Sequence, residues 1–334
     1  SHQAAFVPFE EIRAHIENCG YTVLSDGSQY KAVNDRLELR CPEGHEYSVM
    51  AQGFRAGTRC PVCAKHRSRG ELEVLDYVKT LDPATSSSRE VLSPFEVDVY
   101  SERFKLGVEY HGLYWHSTAV GKAEDYHFRK LMRAEKAGVR LLQFFEDEWR
   151  DHGDIVRSII AKAAGCPSTR IFARKCELKC VDKEERRVFL EANHLQGDAA
   201  APTAFGLYHD GQLVQVLSVR NGKFTGNKND YEIARLASLK DVVVVGGLSR
   251  LSRAALTWVK DKGGTKLYTF ADRRYSRGHA YTAAGFTFDK ETKPGFWYTD
   301  FQRRVHRYTL RKTEECPAGK TVDEWRAEQG WSKV

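Results

Sequence analysis

Several absences narrow the class of protein. No apolar run in the 334 residues approaches the ~20 residues that a membrane-spanning helix requires. The first residues lack the pattern of a signal peptide, so we expect a cytosolic protein. The eight cysteines lack the arrangement of a disulfide framework, which favours metal binding by some of them.

Length and charge are compatible with a multidomain enzyme that acts on a polyanion. A chain of 334 residues is long enough for about two or three domains, each with its own core. Charged residues make up 29% of the chain, and the formal net charge is +7 at pH 7. This charge favours nucleic acid as a partner, although many soluble enzymes are equally basic.

A candidate zinc site lies near the N-terminus. Cys41 and His45 form a C-x3-H pair, and Cys60 and Cys63 form a C-x2-C knuckle. Zinc prefers four such ligands in a tetrahedron, so we predict a structural zinc ion. A zinc ion that only folds this short segment, with no further role, is the alternative. The remaining cysteines do not complete a second set of ligands.

The stretch Phe95–His116 carries the main functional pattern. Its first half alternates apolar and polar residues and sets Asp98 on the polar face. After a polar break at 101–103, a second alternating run places Glu109 and His111 together on one face. Burial of such side chains is costly unless they are paired or bind a metal ion. We therefore predict a β-hairpin with a Mg²⁺-binding face.

This spacing resembles the PD-(D/E)xK nucleases, with His in place of Lys. More specifically, Asp98, His111 and Trp115-His116 resemble the very-short-patch repair endonucleases and the related phage homing endonucleases. The resemblance implies that Asp98, with Glu109 or a backbone carbonyl beside it, binds Mg²⁺. It also implies that His111 is the base for the attacking water and that His116 assists at the phosphate. Taken alone, His116 could be a core histidine. Ser117-Thr118 replaces further zinc ligands of the repair enzymes, so mismatch specificity is not implied.

The order of elements around the hairpin matches the same nuclease core. A capping box predicts a helix over 68–80, and the two strands are followed by a helix at 122–137 and an apolar strand at 139–145. Residues 83–89 are interpreted as a polar turn region, and a last helix is expected at 154–164.

For several candidate site residues, a purely structural role is the alternative to a catalytic one. Glu71 matches the family's helical acid, although Glu73 is a neighbouring competitor. His127 and Lys130 share one face of the next helix and either reach a phosphate or form a solvated face. Taken alone, Glu109 could be half of a structural ion pair.

The N-terminal segment resembles the treble-clef zinc modules that precede many phage nucleases, on the sequence GHEYSVMAQGFRAGTRCPVC. A helix at 6–19 and short strands at 21–24 and 37–40 are expected before the zinc ligands. Basic residues crowd around the second knuckle, and we predict that they bind DNA: Arg55, Arg59 and Arg67. A charged linker is the alternative.

From Ile171 the pattern resembles the N-acetyltransferase-like (GNAT) fold. A hairpin near 204–219, a Gly-containing loop at 245–250 before a helix, and a late Ala-Gly-Phe turn carry the resemblance. In that fold the loop binds the pyrophosphate of acetyl-CoA, but here the full Gln/Arg-x-x-Gly-x-Gly pattern is missing. Arginines interleaved with aromatic residues favour DNA binding instead: Arg235, Arg250, Arg273, Arg274 and Arg277. Group transfer and a structural role remain open.

We therefore predict a multidomain protein of α+β and α/β type. The expected parts are a treble-clef-like zinc module at 1–67, a PD-(D/E)xK-type core at 68–166, a GNAT-like domain at 167–315 and a tail helix at 316–334. The predicted function is Mg²⁺-dependent cleavage of double-stranded DNA by a homing-type phage enzyme in an infected bacterium, as a monomer or a homodimer. The alternatives are a DNA-modifying enzyme or acyltransferase with a vestigial nuclease core, and a non-catalytic DNA-binding regulator.

Overall fold

The computed structural model divides into two compact units, Ser1–Leu72 and Glu73–Val334. It describes residues 7–42, 44–55, 58, 60–64, 68–114, 117, 126–222, 227–310, 316–317 and 319–334, without the side chains of 63 and 64. Arg59, Arg67, His116 and the side chain of Cys63 therefore lie outside the described part of the chain.

The first unit contains a small antiparallel sheet with a helix packed on it. Its elements are α1 (Phe9–Asn18), β1 (Thr22–Val23), β2 (Arg36–Arg40), β3 (Glu46–Met50), α2 (Ala51–Arg55) and α3 (Pro61–Ala64). The strand order is β1-β2-β3. Ile12 and Ile16, at helical spacing on α1, are buried in one cluster with Leu37, Leu39 and Phe54. The predicted helix and first two strands are confirmed, and β3 was not predicted.

The second unit begins with a four-stranded mixed sheet and the helices that cover it. In chain order the elements are α4 (Arg69–Leu81), β4 (Ser86–Leu92), β5 (Phe95–Ser101), β6 (Leu106–His111), α5 (Tyr126–Lys136), β7 (Arg140–Phe145) and α6 (Glu146–Ala163). The first residues of α4 belong to the first unit. The strand order is β4-β5-β6-β7, with β6 and β7 parallel and the other pairs antiparallel.

Both faces of this sheet are covered, and every residue of β6 is buried. One face contributes Val108, Leu142 and Phe144 to a cluster with α4 and α6. The other face packs against α5, where Leu141 lies in one cluster with Leu131. The polar residues of the candidate site therefore interrupt an otherwise apolar layer.

The described residues in the rest of the second unit form three further sheets. Its elements are β8 (Thr169–Phe172), β9 (Glu177–Cys180), α7 (Lys183–Asn193), β10 (Thr203–His209), β11 (Gln212–Asn221), β12 (Asp230–Ser238), β13 (Val242–Val245), α8 (Gly247–Asp261), β14 (Lys266–Tyr268), α9 (His279–Ala283), β15 (Trp297–Thr299), β16 (Arg304–His306), α10 (Val322–Glu328) and β17 (Ser332–Lys333). The strand orders are β14-β12-β11-β10-β9, β13-β8 and β16-β15-β17. Leu251 and Ala255 of α8 are buried in one cluster with Leu207 and Leu217 of the five-stranded sheet.

The structure confirms a mixed α/β protein and corrects parts of the predicted order. Residues 83–89 are not only a turn, because β4 begins at Ser86 and pairs with β5. Helix α6 begins at Glu146 rather than near 154, and it is kinked at His152.

Strands β15 to β17 were not predicted. Within the predicted tail, a helix forms over Val322–Glu328, and the Thr321 hydroxyl at its start accepts a hydrogen bond from the backbone N–H of Glu324. Within the described residues, no helix combines the length and apolar character needed to cross a membrane.

Candidate functional site

Polar side chains form a row across three strands of the four-stranded sheet. Strands β5 and β6 pair Val99 with Val108, and this register sets Asp98 beside Glu109. Strands β6 and β7 pair Glu109 with Gln143. Glu109 is only 2% exposed and Gln143 is also buried. The row therefore lies in the layer between the sheet and α5.

Asp98 and Glu109 are linked through the backbones of their strands. The backbone N–H of Asp98 donates to Oε1 of Glu109 at 3.2 Å. In return, the N–H of Tyr110 donates to Oδ2 of Asp98 at 3.0 Å. These bonds hold both carboxylates at one point of the hairpin, in the relative position that the sequence could not determine.

The Glu109 carboxylate also forms an ion pair with Lys130 of α5, and both side chains are almost completely buried. Burial raises the pKa of Glu109 above its ordinary value, with a further contribution from the nearby Asp98 carboxylate. The Lys130 ammonium acts in the opposite direction. Lys130 thus lies inside the site, not on a solvated helix face.

His111 lies two residues along β6 from Glu109 and is 1% exposed. Its Nε2 is 3.2 Å from Oε1 of Gln143, a distance suited to a hydrogen bond that orients the ring. The ring of His127, from the first turn of α5, lies 4.1 Å from the His111 ring between centroids. The Phe145 ring packs edge-on against His111 at 5.3 Å. The structure therefore brings Asp98, Glu109 and His111 together with two residues of α5.

Glu71 lies in the first turn of α4, where its N–H donates to the Ser68 hydroxyl oxygen at 3.2 Å. This bond agrees with the predicted helix start. Glu71 belongs to the first unit, whereas the polar row belongs to the second. Its competitor Glu73 accepts a hydrogen bond from Nε1 of Trp149 at 3.0 Å.

An acidic cluster at the start of α6 is neutralised by arginines from the C-terminal half of the chain. Arg274 and Arg304 each lie 2.9 Å from Oε1 of Glu148, and Arg304 also pairs with Asp147 at 2.9 Å. Burial would raise the pKa of Glu148, but the two arginines outweigh it and lower that pKa. The backbone carbonyl of Arg274 also accepts from the N–H of Gln143 at 2.8 Å.

The arginines predicted to bind DNA have varied environments. Arg273 pairs with Glu135 at 2.8 Å, and Arg277 donates to the carbonyl of Val139 at 2.7 Å. Arg235 donates to the carbonyl of Gly197 at 2.9 Å, and burial lowers its pKa. A DNA phosphate would have to compete with these internal acceptors. Arg55, the last residue of α2, is exposed.

Arg250 borders an open cleft of about 550 Å³ between the end of β13 and the start of α8. It donates to the carbonyl of Cys176 at 2.7 Å. Arg174 and Arg253 lie on the same cleft, together with Gly246 at the N-terminal end of α8. Basic side chains beside a helix N-terminus provide favourable electrostatics for an anion.

A separate group of metal ligands lies in the first unit. One ligand atom from each of Cys41, His45 and Cys60 lies within 4.8 Å of the others. The Sγ of Cys41 is 3.5 Å from Nδ1 of His45. This group can hold a metal ion such as zinc. Among the described residues, Asp98, Glu109 and His111 do not meet the same three-ligand spacing.

Sequence reasoning missed the roles of Gln143 and Arg304 around the site. Gln143 is the one uncharged polar residue of the strand Arg140–Phe145. A single amide in an apolar strand could have indicated that it belongs to the site. Arg304 gave no comparable signal, because its contacts with Asp147 and Glu148 bridge more than 150 positions of the chain.

Comparison with known proteins gives one partial match in sequence. No protein-family model matches the chain. Over 72 residues, 21% of the chain, it is 33% identical to a protein of Escherichia phage T5 named "Putative endonuclease". The match spans 25% of the phage protein's length.

Two solved acetyltransferase structures resemble part of the chain. One is an aminoglycoside acetyltransferase from an uncultured soil metagenome in complex with sisomicin, with 14% identity and a TM-score of 0.31 over 38% of this chain and 97% of that one. The other is an aminoglycoside N-acetyltransferase in complex with CoA, with 17% identity and a TM-score of 0.28 over 35% of this chain and 96% of that one. Likeness at these scores does not establish a fold or an activity.

Proposed function

We propose that this chain is a metal-dependent endonuclease that hydrolyses phosphodiester bonds in double-stranded DNA. The buried polar row carries the proposal: Asp98, Glu109 and His111 lie together with Lys130 inside an otherwise apolar layer. Replacing such groups by apolar residues would usually be neutral or stabilising, so their presence favours a functional role. The partial likeness to a phage protein named as an endonuclease supports the same class of activity.

The two carboxylates are suited to a hard cation. Mg²⁺ is typically held by one or two carboxylates together with water and substrate oxygens, so the pair Asp98 and Glu109 has the appropriate chemistry. When bound there, Mg²⁺ would polarise the phosphodiester and offset charge that develops on it. Glu109 would then share its carboxylate between the ion and Lys130, and the ion would oppose the effect of burial on its pKa.

The remaining side chains would prepare the attack of water. His111 would accept a proton from the water, with Gln143 fixing the orientation of its ring. The ammonium of Lys130 would add positive charge near the phosphate. The role of His116 at the phosphate stays a prediction, since this residue lies outside the described part of the chain.

In the proposed enzyme the first unit is a zinc module that binds DNA. Cys41, His45 and Cys60 would hold zinc, with Cys63 as the fourth ligand. Arg55, together with Arg59 and Arg67, would contact the phosphate backbone. Homing-type specificity, and the division into a PD-(D/E)xK-type core and a GNAT-like domain, belong to the same proposal.

Conversion of supercoiled plasmid to nicked and linear forms tests the proposal. The protein should cut in Mg²⁺ and not in chelator, and Glu109→Gln should be at least ~100-fold slower. Binding of plasmid without any cutting would instead favour the DNA-binding regulator.

The second candidate function, acyl transfer, depends on the cleft at the start of α8. The cleft is open and bordered by Arg174, Arg250 and Arg253, an arrangement compatible with the phosphates of a CoA-type cofactor. Titration calorimetry with acetyl-CoA would support this function if binding is saturable. The absence of any heat of binding at millimolar acetyl-CoA would exclude acyl transfer.

A further inference from the structure

The hairpin of β15 and β16 lies beside the candidate site. The Phe301 ring at its turn packs against Tyr114, three residues beyond His111, with centroids 5.4 Å apart. Directly after the turn, the N–H of Arg304 donates to Oδ2 of Asp147 at 3.1 Å. The turn is thus held on both sides by segments that follow β6 and β7, the two strands that carry Glu109 and Gln143.

The Arg304 side chain is the main anchor of this hairpin. Its guanidinium lies 4.0 Å from the centre of the Phe145 ring and pairs with both Asp147 and Glu148. Phe145 in turn packs against His111. A planar guanidinium that is stacked and paired with two carboxylates in a buried position has a fixed orientation. The distance between the hairpin and the site is therefore set by the fold.

The turn itself has a defined shape. Oδ1 of Asp300 accepts hydrogen bonds from the N–H groups of Gln302 and Arg303, both at 2.9 Å. Phe301 adopts a left-handed conformation with a φ of 66°, which its contact with Tyr114 and these bonds help to maintain. A turn with this support presents its outer side chains in a reproducible direction.

The outer side chains of the turn are exposed to solvent. The Arg303 side chain is 68% exposed, and its contact with Asp300 is long, at 3.7 Å. Gln302 is exposed beside it. Tyr114, which links the turn to the site, is 48% exposed. An arginine and a glutamine are thus displayed next to the proposed cutting centre.

We propose that Gln302 and Arg303 read base edges in the major groove of the DNA that is cut. Arginine pairs with guanine and glutamine with adenine through two hydrogen bonds each, and the major groove presents the base edges that these pairs use. The neighbouring Arg304 anchors the hairpin, so the bases read lie at a fixed distance from the cleaved bond. This inference rests on the proposed function for the cutting step, but DNA reading can be measured without cleavage.

The test compares the double variant Gln302→Ala/Arg303→Ala with the wild type and with Arg103→Ala. Arg103 is an exposed arginine in the hairpin turn between β5 and β6, at the opposite end of β6 from His111, and serves as a matched control. Each protein is incubated, with its zinc retained, with a pool of randomised duplex DNA in buffer without Mg²⁺, and the bound DNA is sequenced. Affinity for the recovered duplexes is then measured by fluorescence anisotropy, and folding is checked by thermal melting.

The wild type and Arg103→Ala should enrich the same motif and bind it equally within about 2-fold. The double variant should lose preference at adjacent positions of that motif and bind it about 10-fold more weakly or worse, at an unchanged melting temperature. An unchanged motif and affinity in the double variant would overturn the inference, and so would a wild type that enriches no motif. If the wild type selects a motif but cuts nothing in Mg²⁺, the proposed nuclease activity is refuted. The comparison of motifs then still tests whether Gln302 and Arg303 read the DNA.

Discussion

The ammonium group of Lys130 and the carboxylate of Glu109 form a buried ion pair between α5 and β6. Glu109 also accepts a hydrogen bond from the backbone of Asp98, so one carboxylate connects a helix with two strands. Removing two charges from water costs several kcal/mol per ion, which their attraction rarely exceeds by much. The pair is therefore better explained by the chemistry of the site than by a need for stability.

Removal of the Lys130 ammonium should destabilise the folded protein. Lys130→Met leaves Glu109 buried without its cation and should lower the free energy of unfolding by about 3–5 kcal/mol. Urea denaturation without added Mg²⁺ measures the change. Lys136→Met, at the exposed end of the same helix, should change it by less than about 0.5 kcal/mol. Equal effects of the two variants would contradict a buried, paired Lys130.

Arg304 should be required for the hairpin to stay in place. Arg304→Met removes a stacked guanidinium from Phe145 and leaves the half-buried Asp147 and the buried Glu148 without one of their cations, at a cost of about 3 kcal/mol. Arg307→Met is the control, because Arg307 is exposed and lies over the rings of Phe296 and Tyr308 at the surface. Thermal melting compares the two. A smaller loss in Arg304→Met than in the control would not fit the anchored hairpin.

Metal removal should affect the first unit. The purified protein should contain about one equivalent of zinc, bound through Cys41, His45 and Cys60. Cys60→Ser or a strong chelator should release the ion and make residues up to Leu72 sensitive to protease, because small zinc modules depend on the metal for folding. Elemental analysis and limited proteolysis test both points. Protease resistance that is independent of metal would show that the ion does not hold this unit together.

Acid should destabilise the protein partly through His194. Burial, with a smaller contribution from Arg235, lowers the pKa of His194 to about 4, whereas an unfolded histidine titrates near 6.5. The unfolded state therefore binds more protons between these values, so this contribution is present above about pH 6.5 and is lost as the pH falls towards 4. His194→Gln should reduce the slope of unfolding free energy against pH in this window. His279→Gln, at an exposed position on α9, should keep the wild-type slope; a reduced slope in both variants would contradict the assignment to His194.

Local pattern was sufficient to predict the hairpin that carries Asp98, Glu109 and His111. Alternation over β5 and β6 determines which side chains share a face, and both strands form close to the predicted bounds. The pairing of Lys130 with Glu109 could not be predicted, because helical spacing gives the face of α5 but not what that face meets. For the same reason the pairing of Arg274 with Glu148 could not be predicted, because the two residues lie 126 positions apart in the chain.

Strand β4 shows a different limit of sequence reasoning. Its residues Ser86 to Ser88 have neither apolar alternation nor strong β-propensity, so a turn was the natural expectation. The segment is nevertheless extended, because pairing with β5 satisfies its backbone at the edge of the sheet. Strands of this kind are determined by their neighbours and not by their own composition.

The measurement that bears most directly on the central claim is the sequencing of DNA ends made by the wild type, Asp98→Asn and Glu96→Gln. Asp98→Asn keeps the shape of the side chain that accepts from Tyr110, and Glu96 is a control on the same strand that pairs with Arg89 at 3.0 Å. Each protein is incubated with phage and plasmid DNA in Mg²⁺ or in chelator. We predict recurrent ends from the wild type and Glu96→Gln in Mg²⁺, none in chelator, and at least ~100-fold fewer from Asp98→Asn. Ends that persist in chelator, or equal cutting by Asp98→Asn, would contradict a metal-dependent nuclease centred on Asp98 and Glu109.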